Sequence, residues 1–259
     1  MSERYLMTPE EKLKVVNQEP GWMYEFDLGD GVKTPLLTEE LRSIHSTREQ
    51  LIMPIVDCFF PEGLGKKSCL DIACNEGYFS HLLYRRGATV RGIDIRETNI
   101  RRARWVQNLY GYDSNRLVFE VENFFSNQDP EGRFDLTLFL GILYHIENPM
   151  GALRLLSKIT RRLSVIETQL TRQSTPVSSG WGQTSVTLEL DGVLALNQET
   201  DMDQNNLAAV GSLSLIPNAS AVRQMLFAAG FSHVLQAAAK PGLNAQYVRN
   251  DRAVFFALK

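Results

Sequence analysis

Between Ser68 and Thr168 the chain alternates short apolar runs with longer stretches of helical periodicity. That alternation restricts the fold more than any other feature. "SCLDIA" (68–73) leads into a helical stretch from Gly77 to Arg86, with Tyr78 and Phe79 one turn before Leu82 and Leu83. "TVRGIDI" (89–95) precedes "RETNIRRARWVQNLYG", where Ile100, Ala103, Trp105 and Leu109 recur at roughly helical spacing. "RLVFEV" (116–121), "FDLTLFLGIL" (134–143) and "RLSVIET" (162–168) supply three more strands, and "MGALRLLSKIT" reads as the crossover helix between the last two. Such a chain folds as βαβ units around a parallel sheet.

The tail breaks the pattern. "NASAVRQMLFAAGF" reads as a helix entered through Asn218 or Ser220 and left at Gly230. "SHVLQAA" and "RAVFFAL" lie close enough in sequence to pair antiparallel. The predicted fold class is α/β, a doubly wound seven-stranded, mostly parallel sheet with an antiparallel last strand. Residues 1–60 are expected to form an N-terminal lid, mostly helical, in which Trp22, Tyr24 and Phe26 alternate as in a strand with one aromatic face inward. Residues 61–259 then carry the main domain. Within it, residues from about 171 to 216, rich in Ser, Thr, Gly, Asn and Asp, follow the fifth strand beyond the sheet's carboxyl edge, where a substrate cap is expected. "SVTLEL" in that segment alternates like a half-exposed strand, and an unstructured loop is the other reading.

Composition narrows the function classes. At 259 residues, with 44% hydrophobic and 22% charged residues, the chain has the make-up of a globular protein with one large core. A formal net charge of −3 gives no general attraction to nucleic acid. No stretch approaches the roughly twenty apolar residues of a membrane span. The first thirty residues hold Glu3, Arg4, Glu10, Glu11 and Lys12 without an apolar run, so they do not read as a secretory signal. Three cysteines, Cys58, Cys69 and Cys74, form no CxxC pair, so neither a metal site nor a disulfide framework is expected, and the expected location is the reducing cytoplasm.

"LDIACNEGYFS" (70–80) joins the first strand to its helix, where a doubly wound sheet binds ligands. Such a turn needs residues without bulk or tolerant of left-handed backbone. Gly77 satisfies this, Ala73 nearly does, and Asn75 tolerates that conformation. The GxGxxG of a dinucleotide site and the GxxxxGK[ST] of a P-loop are both absent. Asp71 suits a cationic or hydroxylated ligand better than a phosphate. Asp94 ends the second strand, where a carboxylate can accept both ribose hydroxyl protons. Asn123, after the third strand, can pair with the exocyclic amine of adenine while Phe124 covers the base. Each also has a bland reading: Asp94 and Asn123 as caps, Phe124 as core.

Taken together, "LDIACNEGYFS", "VRGIDI", "ENFF" and "FDLTLFLGILYHIENP" resemble the motifs of class I S-adenosylmethionine-dependent methyltransferases, over about residues 66–170 and more loosely over 218–258. The resemblance implies a Rossmann-like sheet and S-adenosyl-L-methionine as cofactor. The family's first motif is usually D/ExGxGxG; Asp71 and Gly77 match it, while Ala73 and Asn75 depart from its glycines. By the same resemblance Asp94 holds the ribose and Asn123 meets the adenine. Ile95, Leu140 and Gly141 are further candidate cofactor contacts, and Arg48 is a candidate partner for the cofactor carboxylate. "GILYHIENP" with the upstream "GWMYEFDLGDGVKTP" is distantly similar to the branch containing the tRNA wobble-uridine carboxymethyltransferase. That enzyme carries a lysine beside the upstream tryptophan, gripping a carboxylated cofactor. Here Trp22 is followed by Met23, Tyr24 and Glu25, so the ordinary cofactor and a substrate other than the wobble base are expected.

Methyl transfer asks for alignment and, with a hydroxyl or protonated amine as acceptor, for a base. His145, after the fourth strand, is the candidate base, Tyr144 a candidate to orient the acceptor, and Glu167, ending the fifth strand, a second base. His145 as a helix-entry residue is the structural alternative, and His45, His81 and His233 read as structural or exposed. Arg101, Arg102 and Arg104 read as a solvated face, with an RNA-facing patch as the alternative. The expected function is O- or N-methylation of a small molecule such as a secondary metabolite or sugar. A tRNA-modifying enzyme and a non-catalytic cofactor-binding protein are the rivals. The expected partner is a small-molecule acceptor, with no membrane partner, nucleic acid less favoured and a homodimer open.

Overall fold

The computed structural model describes residues 7–19, 21–126, 133–172, 178–181, 184–187, 192–198 and 213–259. Much of the expected cap, including the end of "SVTLEL", therefore lies outside the described residues. Two helices, α1 (Pro9–Gln18) and α2 (Glu40–Phe59), precede the alternating region. There follow β1 (Ser68–Ile72), α3 (Tyr78–Arg85), β2 (Thr89–Asp94), α4 (Glu97–Tyr110) and β3 (Leu117–Val121). Next come β4 (Phe134–Leu140), α5 (Pro149–Ile159) and β5 (Thr160–Gln169). Two hairpins, β6 (Ser178–Trp181) with β7 (Thr184–Thr187) and β8 (Leu194–Gln198) with β9 (Leu213–Pro217), precede α6 (Ala219–Ala228). β10 (His233–Gln236), the short α7 (Ala245–Val248) and β11 (Arg252–Leu258) close the chain.

Seven strands form one sheet in the order β10-β11-β5-β4-β1-β2-β3. β1, β2 and β3 run parallel, while β11 is antiparallel to both β5 and β10. This is the doubly wound, Rossmann-like sheet predicted, with the reversed strand at the carboxyl end of the chain. Every residue of β4 is buried, as expected of a central strand covered on both faces. It stops at Leu140, three residues short of the predicted end, because Gly141 turns left-handed (φ 74°) and Leu143–His145 closes a 3₁₀ turn. β5 begins at Thr160, directly after α5, with the Thr160 hydroxyl donating to the Leu156 carbonyl.

The chain divides into two compact units, residues 1–128 with 134–138 and residues 129–133 with 139–259. In the first, Trp22, Tyr24, Phe26 and Leu28 are all buried while the residues between them are not, the alternation read from sequence. No regular strand forms there, only the isolated bridges Trp22–Leu36 and Asp27–Lys33. α1 starts with a full capping box between Thr8 and Glu11. In the second unit, α6 is entered through Asn218, whose side chain accepts from the Ala221 N–H, and Gly230 (φ 101°) follows its end.

Two glycines in the first unit make room for one aromatic ring. A Cβ built on Gly77 would lie 2.5 Å from the Phe119 ring, and one on Gly92 would lie 2.7 Å from it. Phe119 on β3 is thereby packed tightly between the start of α3 and the middle of β2. Gly92→Ala should destabilise the protein by about 1–3 kcal/mol, the usual cost of overpacking a filled core. Combining it with Phe119→Leu should return part of that loss. Urea midpoints of the two single variants and the double variant measure this, and fully additive losses would place the Gly92 effect elsewhere.

Candidate functional site

Three alternate residues of the turn after β1 take left-handed backbone: Ala73 (φ 54°), Asn75 (φ 52°) and Gly77 (φ 78°). Two of them are not glycine, and a side chain there costs free energy unless the surroundings hold it. The hold is visible. The Cys74 N–H donates to the Ile93 carbonyl at 2.9 Å, and the Gly77 N–H to the Cys74 carbonyl at 2.9 Å. The Asn75 N–H donates to Asp94 Oδ2 at 3.0 Å.

Asp94 is buried at the end of β2 and receives three donors: Asn75 N–H, the Arg96 N–H on Oδ1 (2.9 Å) and the Asn99 amide on Oδ1 (3.3 Å). A carboxylate offers about four acceptor positions, so Oδ2 keeps one for a ligand hydroxyl. A second hydroxyl would have to displace the long Asn99 contact. Asp94 thus ties the turn at Asn75 to the start of α4. Burial pushes its pKa up, opposed by the Arg96 and Asn75 N–H groups and by Asn99.

Asp71, within β1, is 3% exposed and accepts from Ser80 Oγ at 2.6 Å. Burial raises its pKa to about 7 against the Ser80 bonds, and the Asp94 charge adds to the rise. Glu76, which the sequence reading passed over, is 1% exposed. Its carboxylate accepts from the Met23 N–H (3.0 and 3.1 Å), the Tyr24 N–H (2.9 Å) and Arg102 Nη1 (2.9 Å). Burial pushes it up to about 7, opposed by the same three donors. Only its partners reveal Glu76, and they lie far away in sequence.

Elsewhere in this unit several expectations change. Asn123 is exposed, but its Oδ1 accepts from the Phe125 N–H at 3.0 Å, closing its own turn. Phe124, expected over the base, is 4% exposed, whereas Phe125 is half exposed with ring centroids 5.9 Å apart. The accessible ring after β3 is therefore Phe125, a shift of one residue. Ile95, beside Asp94, is also exposed. Arg48 is buried on α2. Of the arginines of α4, Arg101 and Arg104 are exposed, as a solvated face would be; Arg101 and Arg102 pair with Glu19, and Arg104 donates to the Phe119 carbonyl. His81 is buried among the rings of Phe26, Tyr110, Tyr112 and Phe119, and burial lowers its pKa to about 3, so it stays neutral.

In the second unit, Leu140 is buried, and the Gly141 N–H donates to the Glu167 carbonyl at 2.9 Å. Tyr144 and His145 are partly exposed, their rings 4.1 Å apart. Arg252 lies over the Tyr144 ring at 5.2 Å and donates to its hydroxyl at 3.3 Å. The same guanidinium donates to Glu167 Oε1 at 3.0 Å, which also accepts from the Tyr247 hydroxyl at 2.7 Å. Glu167 has no exposed surface. The sequence reading took it as a second base, yet a wholly buried carboxylate occupied by a guanidinium and a phenol is placed to balance Arg252. Arg252 was not anticipated, since nothing in "RAVFFAL" distinguishes it from a strand-entry residue.

The raised Asp71 pKa makes a pH prediction. Its unfolded value is near 3.8 and its folded value about 7, so the folded state holds the proton more tightly. The stabilisation is complete below the unfolded value and is lost as pH rises through about 7. Asp71→Asn is neutral throughout and escapes that loss. Melting temperatures from about pH 4 to pH 8 should therefore shift in favour of Asp71→Asn as pH rises. Parallel curves for the two proteins would show that Asp71 is not perturbed.

A family model described as a methyltransferase domain matches residues 44–236. The ubiquinone biosynthesis O-methyltransferase of Pseudomonas paraeruginosa is 29% identical over 99 residues, 38% of this chain and 42% of that protein. The O-antigen chain terminator bifunctional methyltransferase/kinase WbdD of Escherichia coli is 30% identical over 118 residues, 44% of this chain and 16% of that protein. The chain thus spans less than half the length of either relative. The solved N-terminal domain of EvdMO1, in the presence of S-adenosylhomocysteine and D-fucose, matches with a TM-score of 0.70 at 17% identity, over 98% of both chains. The magnesium protoporphyrin IX methyltransferase ChlM of Synechocystis, with S-adenosylmethionine bound, gives 0.55 at 15% identity over 98% of this chain and 93% of that one. At such identities the likeness is one of fold. The family model, however, spans most of the sequence, and with it this chain belongs to the methyltransferase-domain family, the class I S-adenosylmethionine-dependent methyltransferases.

Proposed function

We propose that this chain moves a methyl group from S-adenosylmethionine to a hydroxyl, or else an amine, of a small molecule. The observation that carries this reading is the turn from Asp71 to Gly77, left-handed at three alternate residues and tied to Asp94. Its donor set fits the cofactor. Asp94 keeps an acceptor position for a ribose hydroxyl, Asp71 is a buried acid suited to a cation, and the half-exposed Ile95 and Phe125 offer apolar surface to a base. Among the relatives, an O-methyltransferase of ubiquinone biosynthesis and a domain crystallised in the presence of D-fucose support a small-molecule acceptor.

When bound, S-adenosylmethionine supplies the methyl group already activated on its sulfonium, so the chain's residues chiefly bind, align and exclude water. His145 takes the proton of the acceptor hydroxyl, Tyr144 orients the acceptor, and Arg252, balanced by Glu167, fixes Tyr144. A nucleic-acid acceptor has less support among the described residues, because the arginines of α4 are engaged with Glu19, Glu76 and a backbone carbonyl.

Calorimetry should show S-adenosylhomocysteine binding in the micromolar range, about −8 kcal/mol, and NAD binding far more weakly. Asp94→Ala should weaken that binding about ten- to a hundredfold, the worth of a charge-assisted bond to a hydroxyl together with the lost hold on the turn. Tight NAD binding without the sulfur nucleoside would overturn the reading.

The catalytic assignment is separable. His145→Ala should leave S-adenosylhomocysteine affinity near wild type and lower turnover of the acceptor about 10²–10⁴-fold. Wild-type turnover should rise with pH as the base loses its proton, and the variant should lack that limb. Wild-type turnover and pH profile in His145→Ala would make the residue structural.

A further inference from the structure

Glu76 has no counterpart in the expected chemistry, yet it is the most completely enclosed carboxylate of the cofactor turn. It sits between two left-handed residues, Asn75 and Gly77, with 1% of its surface exposed. Its partners come from the N-terminal segment and from α4. The Met23 and Tyr24 N–H groups donate to it, and so does Arg102. Arg102 in turn donates to the Gly21 carbonyl at 3.3 Å and to Glu19 at 3.2 Å, and lies 5.1 Å over the Trp22 ring. One carboxylate thus gathers the backbone around residues 21–24 onto the turn, with Trp22 and Tyr24 buried beneath.

The turn needs such a hold. Glycine adopts positive φ readily, whereas Ala73 and Asn75 persist there only if neighbouring groups over-determine the conformation. On one side the hold is Asp94, through the Asn75 N–H. A ribose hydroxyl would share that carboxylate. On the other side the hold is Glu76, met by two backbone N–H groups and the Arg102 guanidinium. The two are not equivalent, because on the proposed reading only the Asp94 carboxylate would be shared with a ligand.

We infer that Glu76 is the positioning residue of the cofactor turn, clamping the Met23–Tyr24 backbone and Arg102 so that Ala73 and Asn75 stay left-handed, which makes the N-terminal segment part of the cofactor-binding machinery. The inference rests on the reading of residues 71–77 as the cofactor turn. It predicts that the clamp matters because glycine is missing, and that restoring glycine relieves the need for it.

The test is a double-mutant cycle read as S-adenosylhomocysteine affinity by calorimetry, with melting temperature measured alongside. Glu76→Gln keeps the shape of the side chain but turns one acceptor into a donor and removes the charge facing Arg102. It should weaken binding about tenfold in the wild-type background. In an Asn75→Gly background the same substitution should cost about threefold or less, a coupling of the size expected for residues sharing one backbone constraint. Equal losses in both backgrounds, or a fall in melting temperature with unchanged affinity, would reduce Glu76 to a structural ion pair. Should Glu76→Gln fail to fold, Arg102→Met removes a single partner of the clamp and enters the same cycle with the same two outcomes. A wild-type protein that takes up no S-adenosylhomocysteine would overturn the cofactor reading itself and this inference with it, a result distinct from either outcome of the cycle.

Discussion

A backbone held against its own preference lies at the centre of this protein. The chain must reverse from β1 into α3 within a few residues while keeping peptide groups clear of bulk, and it does so through three left-handed positions. Glycine occupies only one. A non-glycine residue in this conformation costs about 1–3 kcal/mol when nothing holds it, so the neighbourhood is built around supplying that hold. The Ile93 carbonyl takes one N–H, Asp94 another, and Glu76 ties the outside of the turn to the segment before Phe26. Phe119 then fixes the third position by leaving no room for a Cβ on Gly77.

What could be read from sequence follows from the range of the interactions involved. Strand and helix identities are set by periodicity within ten residues or so, and β1 to β5 with their helices appear where the apolar pattern puts them. Boundaries depend on single residues, which is why β4 ends at Leu140: the left-handed Gly141 outweighs the apolar character of Ile142 and Leu143. Asp71, Asp94 and Gly77 were legible because they fall at strand ends or turn positions where local chemistry is restrictive. Glu76 was not, since a glutamate in a turn looks solvated until Met23, Tyr24 and Arg102 arrive from elsewhere.

The same limit explains the residues whose placement differs from expectation. Glu167 lies near the end of β5, where sequence placed a candidate base, and only the antiparallel pairing of β5 with β11 brings Arg252 to that end of the strand. Removing one member of such a buried pair is costly because the other charge is left unpaired in a poor solvent for it. That pair holds the Arg252 guanidinium against Tyr144, a contact that sequence alone does not reveal. Phe124 and Phe125 are adjacent, equally apolar and indistinguishable by composition. The short 3₁₀ turn after β3, started by Asn123 accepting from Phe125, decides which ring enters the core.

Three acids, Asp71, Glu76 and Asp94, surround the turn, and burial raises the pKa of all three. Their surroundings distinguish them. Glu76 faces a guanidinium and two backbone donors, which oppose the burial that raises its pKa to about 7. Asp94 is bound by two backbone donors and an amide, which likewise oppose the effect of its burial. Asp71 has the hydroxyl and backbone bonds of Ser80 against full burial and the nearby Asp94 charge. It is therefore the acid of the three with least to stabilise its ionised form. A cation arriving near Asp71 favours ionisation, so cation binding and proton release are linked at the same carboxyl. Under the proposed function, a sulfonium nucleoside brings such a positive charge to this carboxyl, so its uptake and the loss of the Asp71 proton would be linked.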